Sequence, residues 1–124
     1  MAVIGELRTA PLYSGGPPRV MLLARFTVGA AGAVTLDTTA SDPGIDLGDF
    51  TTGAAALTYP ECAKAQIWVK IVPAALANDQ VPYVTAQSST DGTATITIGD
   101  DGSAEDPADG AVIEVLIIGD TRGR

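Results

Sequence analysis

The sequence contains no histidine and a single cysteine, Cys62, which removes several classes of functional site. Histidine is the commonest general base and the commonest metal ligand near neutral pH. One cysteine can neither close an intramolecular disulfide nor form a thiolate zinc site. We therefore expect no catalytic residue, no metal site and no cofactor, and we expect Cys62 to act as a small buried apolar side chain.

Basic residues are also scarce, with seven Lys and Arg against fifteen Asp and Glu, a formal charge of −8. Nucleic acids and anionic membranes are bound by clustered cations, so we expect neither as a partner. Aromatic residues make up 5% of the chain, which gives thin support for a sugar-stacking platform; Trp68 and Tyr83 are the candidates. The longest apolar stretch, residues 111–118, is interrupted by Glu114 and is too short to cross a bilayer. We identify no targeting segment at the N-terminus.

Alternation of apolar and polar residues dominates what is present. Residues 20–28, 66–72 and 93–98 alternate with a period of two, which is typical of β-strands, and residues 110–118 are expected to form the closing strand. The segment 110–118 is apolar on both faces, as in strands that lie centrally or against a partner. Weaker strands are expected at 33–37, 53–59 and 81–88, and the segment 60–65 is the only helix-like piece.

Glycine and proline, 14 and 8 residues respectively, divide these segments at short intervals. Residues 29–32 and the pair Asp91-Gly92 are typical of hairpin turns. We predict an all-β protein: a single small antiparallel β-sandwich or barrel of about seven to eight short strands. The expected organisation is an extended N-terminal arm (1–19), the β-domain (20–119) and a short C-terminal tail (120–124).

The N-terminal arm contains prolines at 11, 17 and 18 and the pair Gly15-Gly16, which exclude a helix. One interpretation is a loosely packed terminus. The other is an arm whose apolar side chains dock on another subunit. The partner-contact candidates are Ile4, Leu7, Leu12 and Tyr13.

Two groups of carboxylates are candidates for a functional site. The loop 100–109 can supply oxygens to Ca²⁺, but its spacing differs from that of an EF-hand, and a solvated turn explains it without an ion. Glycoside hydrolysis needs a carboxylate pair across a cleft. Asp37, Asp42, Asp46 and Asp49 are candidates by residue type alone, since turns use Asp routinely.

Three segments together resemble the small β-rich virion proteins of tailed bacteriophages, in the capsid decoration (cement) or head-fibre class. They are residues 25–36 (RFTVGAAGAVTL), residues 52–60 (TGAAALTYP), and residues 92–98 (GTATITI) followed by 104–115 (AEDPADGAVIEV). The similarity spans about residues 20–118 and leaves the arm outside. The alanines at 54–56 depart from the polar residues usual in that strand.

The resemblance implies a structural role. The protein is expected to bind the major capsid protein on the outside of a shell and to stabilise contacts between its subunits. It is further expected to be a homo-oligomer, with a trimer favoured, made in the host cytoplasm and located on the virion surface. An acidic surface would limit aggregation. Alternatives are another virion component (neck, tail or fibre), a carbohydrate-binding β-module and, least favoured, an enzyme.

Overall fold

The computed structural model describes residues 19–60, 62–75, 79–88, 92–100 and 102–120. These residues form nine strands and one 3-10 turn, Ala30–Gly32. The strands are β1 (Arg19–Val28), β2 (Val34–Leu36), β3 (Asp46–Leu47), β4 (Ala54–Thr58), β5 (Ala63–Val72), β6 (Val81–Gln87), β7 (Thr93–Asp100), β8 (Ser103–Ala104) and β9 (Val112–Asp120).

The strands form two antiparallel sheets. Sheet A has the order β2-β1-β9-β5, and sheet B has the order β3-β4-β7-β6, with β8 also pairing with β7. The prediction of an antiparallel β-sandwich is therefore confirmed. The strand count exceeds the expected seven to eight because β3 and β8, two residues each, are too short to show an alternating pattern.

The core lies between the two sheets. Phe26, Leu57, Ile96, Ile113 and Ile117 are completely buried. They come from β1 and β9 of sheet A and from β4 and β7 of sheet B. Within each strand the core residues lie on one face, because successive side chains of an extended chain point to opposite sides of the sheet.

β9 lies between β1 and β5, with nine residue pairs in register along β1 and eight along β5. This central place accounts for its apolar character on both faces. One face contributes Ile113, Val115 and Ile117 to the core. The other face points away from sheet B.

The prediction of a helical turn at residues 60–65 is wrong. β5 begins at Ala63, which pairs with Asp120 of β9, and a bulge between Ala63 and Gln66 accommodates Lys64 at a φ of +56°. A single helical turn has an unfavourable nucleation cost, and pairing with a long neighbouring strand supplies more hydrogen bonds.

One further boundary differs from expectation, and one of the weaker predicted strands is present. The loop that the sequence places directly after the strand 93–98 begins later, because β7 continues to Asp100 and the chain folds back as β8. The weak strand predicted at 53–59 is formed as β4 despite its three alanines, because β3 and β7 both pair with it. The predicted arm lies outside the described residues up to position 18.

Candidate functional site

The outer face of sheet A is a broad three-stranded surface that the described residues leave uncovered. Its side chains come from the non-core half of β1, β9 and β5, and the register aligns them in rows across the sheet. From one end the rows are Met21–Ile118–Gln66, Leu23–Leu116–Trp68, Arg25–Glu114–Lys70 and Thr27–Val112–Val72.

The second row is the apolar centre of this face. Leu23 is 38% exposed and Trp68 is 50% exposed, with Leu116 between them on the central strand. A shallow cavity of about 400 Å³ lies over this row and is closed on one side by Ala40 from the loop after β2. Contiguous exposed apolar surface of this kind marks an interaction site more often than a free surface.

The third row carries one carboxylate between two cations. Arg25 Nε donates to Glu114 Oε2 at 3.1 Å, Arg25 Nη2 lies 3.0 Å from the same oxygen, and Lys70 Nζ lies 3.6 Å from Glu114 Oε1. These exposed pairs add little to folding stability. They leave the row with one net positive charge beside the apolar row.

A second exposed apolar patch lies on the outer face of sheet B. Val81 is 47% exposed and Tyr83 is 55% exposed, both on the edge strand β6. Gly99 lies opposite on β7, where an added Cβ would approach Tyr83 Cε2 to 3.0 Å, so the glycine makes room for the ring. A cavity of about 340 Å³ is lined by these residues together with Asp79 and Gly102.

Three carboxylates crowd the end of this second patch. The hydrogen bond with Glu105, then burial, and then the neighbouring Asp79 raise the pKa of Asp100 to about 6. Gln80 holds this end in place, since its Nε2 donates to Glu105 Oε2 at 3.0 Å and to the Asp106 carbonyl at 2.9 Å. We call the outer surface formed by Asp79, Val81 and Tyr83 the β6–β8 patch. Asp100 and Glu105 lie next to it, with Asp100 on the same side of β7 as the buried Ile96 and Ile98.

Trp68 and Tyr83, the candidates for a sugar-stacking platform, are both exposed, but they do not share a surface. Trp68 belongs to the outer face of sheet A and Tyr83 to the outer face of sheet B. The interpretation of a joint platform is therefore wrong, because alternation directs the two rings away from each other across the core. Ile4, Leu7, Leu12 and Tyr13 lie outside the described residues.

Three of the candidate hydrolase carboxylates have structural roles in loops. Asp37 accepts hydrogen bonds from Thr39, which are the main cause of its lowered pKa. Asp42 accepts from the Leu23 amide at 2.7 Å, and Asp49 accepts from the Val34 amide at 2.9 Å. Asp46 is exposed on β3.

The acidic loop 100–109 also has a structural role. Asp106 Oδ1 accepts a hydrogen bond from the Gly53 amide at 2.6 Å, which fastens the loop to the turn before β4. Within the described part of the chain, no three His, Cys, Asp or Glu side chains are grouped so that they could hold a metal ion. Cys62 is half-buried and packs against the core.

The charges are distributed unevenly between the sheets. Every basic residue in the described ranges belongs to sheet A: Arg19 and Arg25 in β1, and Lys64 and Lys70 in β5. Sheet A contains two acidic residues, Glu114 and Asp120, and the other described acidic residues lie elsewhere in the protein. The sequence does not show this asymmetry directly, because the basic residues are spread from Arg19 to Lys70 and only sheet formation brings them together.

Comparison of the chain with protein-family models, with curated proteins and with solved structures returned no match. No helix within the described ranges has the length and apolar character that a membrane crossing requires.

Proposed function

We propose that this protein is a structural virion component that binds the outside of a capsid and stabilises contacts between major-capsid subunits. The observation that carries the proposal is the exposed apolar surface around Leu23, Leu116 and Trp68 on the outer face of sheet A, which suits contact with a neighbouring subunit of an assembly. The resemblance of residues 20–118 to the decoration class supports the same function.

The construction of this face suits a mechanical role. Phe26, Ile113 and Ile117 are completely buried directly beneath it, so the surface is backed by a close-packed core. A rigid surface loses little conformational entropy when it binds. Repeated around a shell, many such contacts resist the outward pressure of packaged DNA.

The proposal assigns separate roles to the arm and the sandwich. Residues 1–18, with Ile4, Leu7, Leu12 and Tyr13 as contact candidates, reach the shell. The outer face of sheet A is covered by a sister copy in a homo-oligomer, for which a trimer is favoured.

Co-sedimentation with capsids that lack this protein tests the proposal. We expect the full chain to bind the capsids and to raise the temperature at which they release DNA. Deletion of residues 2–18 is expected to weaken binding at least about tenfold, which corresponds to a loss of about 1.4 kcal/mol. Unchanged thermal unfolding of the deletion variant in isolation is the control.

Two results would contradict the proposal or part of it. If the full chain does not bind capsids at any concentration, the decoration role is wrong. If the deletion variant binds as well as the full chain, the arm is not the shell contact. Binding to isolated necks, tails or fibres instead would assign the protein to another part of the virion.

A carbohydrate-binding module is the second candidate, favoured by Trp68 beside a cavity of about 400 Å³. Because the chain contains a single tryptophan, its fluorescence reports directly on this site. Under this alternative, soluble glycans shift the emission, and Trp68→Ala abolishes binding to immobilised glycans. Under the decoration proposal, self-association of the protein shifts the emission and glycans do not.

A further inference from the structure

The exposed large apolar side chains of the described residues all fall in two places. Leu23, Trp68 and Val72 lie on the outer face of sheet A. Val81 and Tyr83 lie in the β6–β8 patch. Each place also has a shallow cavity, of about 400 Å³ and 340 Å³ respectively.

The two surfaces carry opposite charge. Arg25 and Lys70 outnumber Glu114 on the outer face of sheet A. Asp79 lines the β6–β8 patch, Asp100 and Glu105 are its neighbours, and β6, β7 and β8 contain no basic residue. The crowding of these carboxylates raises the pKa of Asp100 to about 6, an electrostatic cost that a neighbouring cation would relieve.

The two surfaces lie on opposite sides of the sandwich, because each is the outer face of a different sheet. One copy therefore cannot bring its own two surfaces together, but two copies in the same orientation can. We infer that copies of this protein associate head-to-tail, with the outer face of sheet A on one copy covering the β6–β8 patch of the next. The inference rests on the homo-oligomer in the proposed function and names the surfaces that form it.

A symmetric contact between two sheet A faces fits the observations less well. It would oppose two faces that each carry a net positive charge, and like charges at an interface oppose association. It would also leave Val81 and Tyr83 exposed. A head-to-tail contact covers both apolar surfaces and generates a ring where the rotation closes, or an open chain where it does not.

The size of the surfaces sets the expected strength. Strand spacing and rise give the three-stranded face about 14 Å by about 25 Å, on the order of 350 Å². Each partner in a standard-size interface contributes about 800 Å². A single contact is therefore expected to be weak, with a dissociation constant of about 1 μM or higher, and closure into a ring would add further contacts.

A mixing experiment distinguishes head-to-tail from symmetric association. Trp68→Glu disrupts the outer face of sheet A, and Tyr83→Lys disrupts the β6–β8 patch. Thr58→Glu and Thr58→Lys are the matched controls, since Thr58 is exposed on β4 outside both surfaces. Sedimentation velocity of the full chain without capsids measures association over a concentration series.

We expect the wild type and both Thr58 variants to associate, and each patch variant alone to sediment as a monomer. An equimolar mixture of Trp68→Glu and Tyr83→Lys is expected to form a species of two chains, because each supplies the surface that the other lacks. Lys70→Glu and Asp79→Lys form a second pair for the same experiment if either patch variant fails to fold.

Three results overturn the inference. The first is that the wild type remains monomeric at about 1 mM, a concentration well above the expected dissociation constant. The second is that Tyr83→Lys associates by itself. The third is that the equimolar mixture of the two variants stays monomeric. Capsids play no part in this measurement, so it can fail while co-sedimentation with capsids succeeds. The reverse outcome would contradict the capsid-binding role and leave the self-association intact.

Discussion

Gly53 occupies a position that only glycine can fill. Its φ is +83°, and an added Cβ would lie 2.5 Å from the Glu105 amide nitrogen and 2.9 Å from the Ala104 carbonyl carbon. Its own amide donates to Asp106 Oδ1. The turn before β4 and the segment after β7 therefore meet at backbone contact distance.

Gly53→Ala is expected to lower the free energy of unfolding by more than about 2 kcal/mol, because backbone strain and a backbone clash act together. Gly102→Ala is the matched control, since its φ is +84° but nothing lies within 4 Å of an added Cβ. Strain alone should cost that variant about 1 kcal/mol. Urea unfolding of both measures the difference, and equal losses would refute the clash.

Asp100 makes stability depend on pH in an unusual direction. Its folded-state pKa is raised from 3.8 to about 6, so the folded protein binds the proton more tightly than the unfolded chain. The stabilising contribution is fully present below about pH 3.8 and is lost as the pH rises through about 6. Asp37, whose pKa is lowered mainly by its hydrogen bond from Thr39, has the opposite effect, losing its contribution as the pH falls.

Asp100→Asn is expected to make the protein more stable than the wild type at neutral pH, because it removes a charge that Asp79 and Glu105 repel. This advantage should shrink as the pH is lowered from about 7 to about 4. Urea midpoints across that range measure it, with Asp46→Asn, an exposed carboxylate on β3, as the control. An advantage that does not change with pH would be inconsistent with the raised pKa.

At the scale of the elements, β9 organises sheet A and divides its residues between two tasks. Ile117 is completely buried against sheet B, whereas its neighbour Ile118 is half-buried on the outer face. The same residue type in the same strand therefore serves the core in one case and the interaction surface in the other.

Ile117→Ala is expected to cost about 3–4 kcal/mol of stability, and Ile118→Ala about 1 kcal/mol or less, because truncation in a close-packed core also leaves a cavity. Urea unfolding of both variants measures the contrast. Under conditions in which both variants are folded, Ile118→Ala should weaken self-association more than Ile117→Ala does. Similar stability losses in the two variants would mean that the outer face is covered within the monomer.

The ion-paired row of sheet A joins three strands but is exposed, with Arg25 at 45% and Glu114 at 32% side-chain exposure. Glu114→Gln should therefore change the free energy of unfolding by less than about 1 kcal/mol. A thermal unfolding curve is sufficient to measure this. A decrease of several kcal/mol in the free energy of unfolding would show that the ion-paired row stabilises sheet A.

At the scale of the whole molecule, all basic residues of the described ranges lie in sheet A, whereas most acidic residues of those ranges lie outside it. Net charge of one sign opposes the compact state through self-repulsion, whereas opposite charges on two surfaces promote association. Salt screens both effects. Salt therefore acts in opposite directions on the stability of the fold and on self-association.

Raising the salt concentration from about 0.05 M to about 0.5 M, which shortens the screening length about threefold, should stabilise the fold and weaken self-association. Urea midpoints and sedimentation velocity on the same samples measure the two changes. Association that strengthens with salt would indicate a purely apolar contact and remove the electrostatic basis of the head-to-tail arrangement.

The sequence alone determined the fold class and the directions of the principal side chains. The alternation in β1, β5, β7 and β9 depends on the two-residue period of an extended chain, a local property that needs no knowledge of neighbouring strands. The apolar outer face of sheet A was predictable in part, because residues 110–118 are apolar on both sides. The start of β5 was not foreseeable, since pairing with β9 decides it.

The tertiary structure alone decided which side chains share a surface. It separated Trp68 from Tyr83, placed all described basic residues in one sheet, and brought Asp79 beside Asp100 and Glu105. Sheet order and register bring together residues that are far apart in the chain, and no local pattern encodes that order. For a protein whose proposed role depends on contact surfaces, those long-range placements carry the functional information.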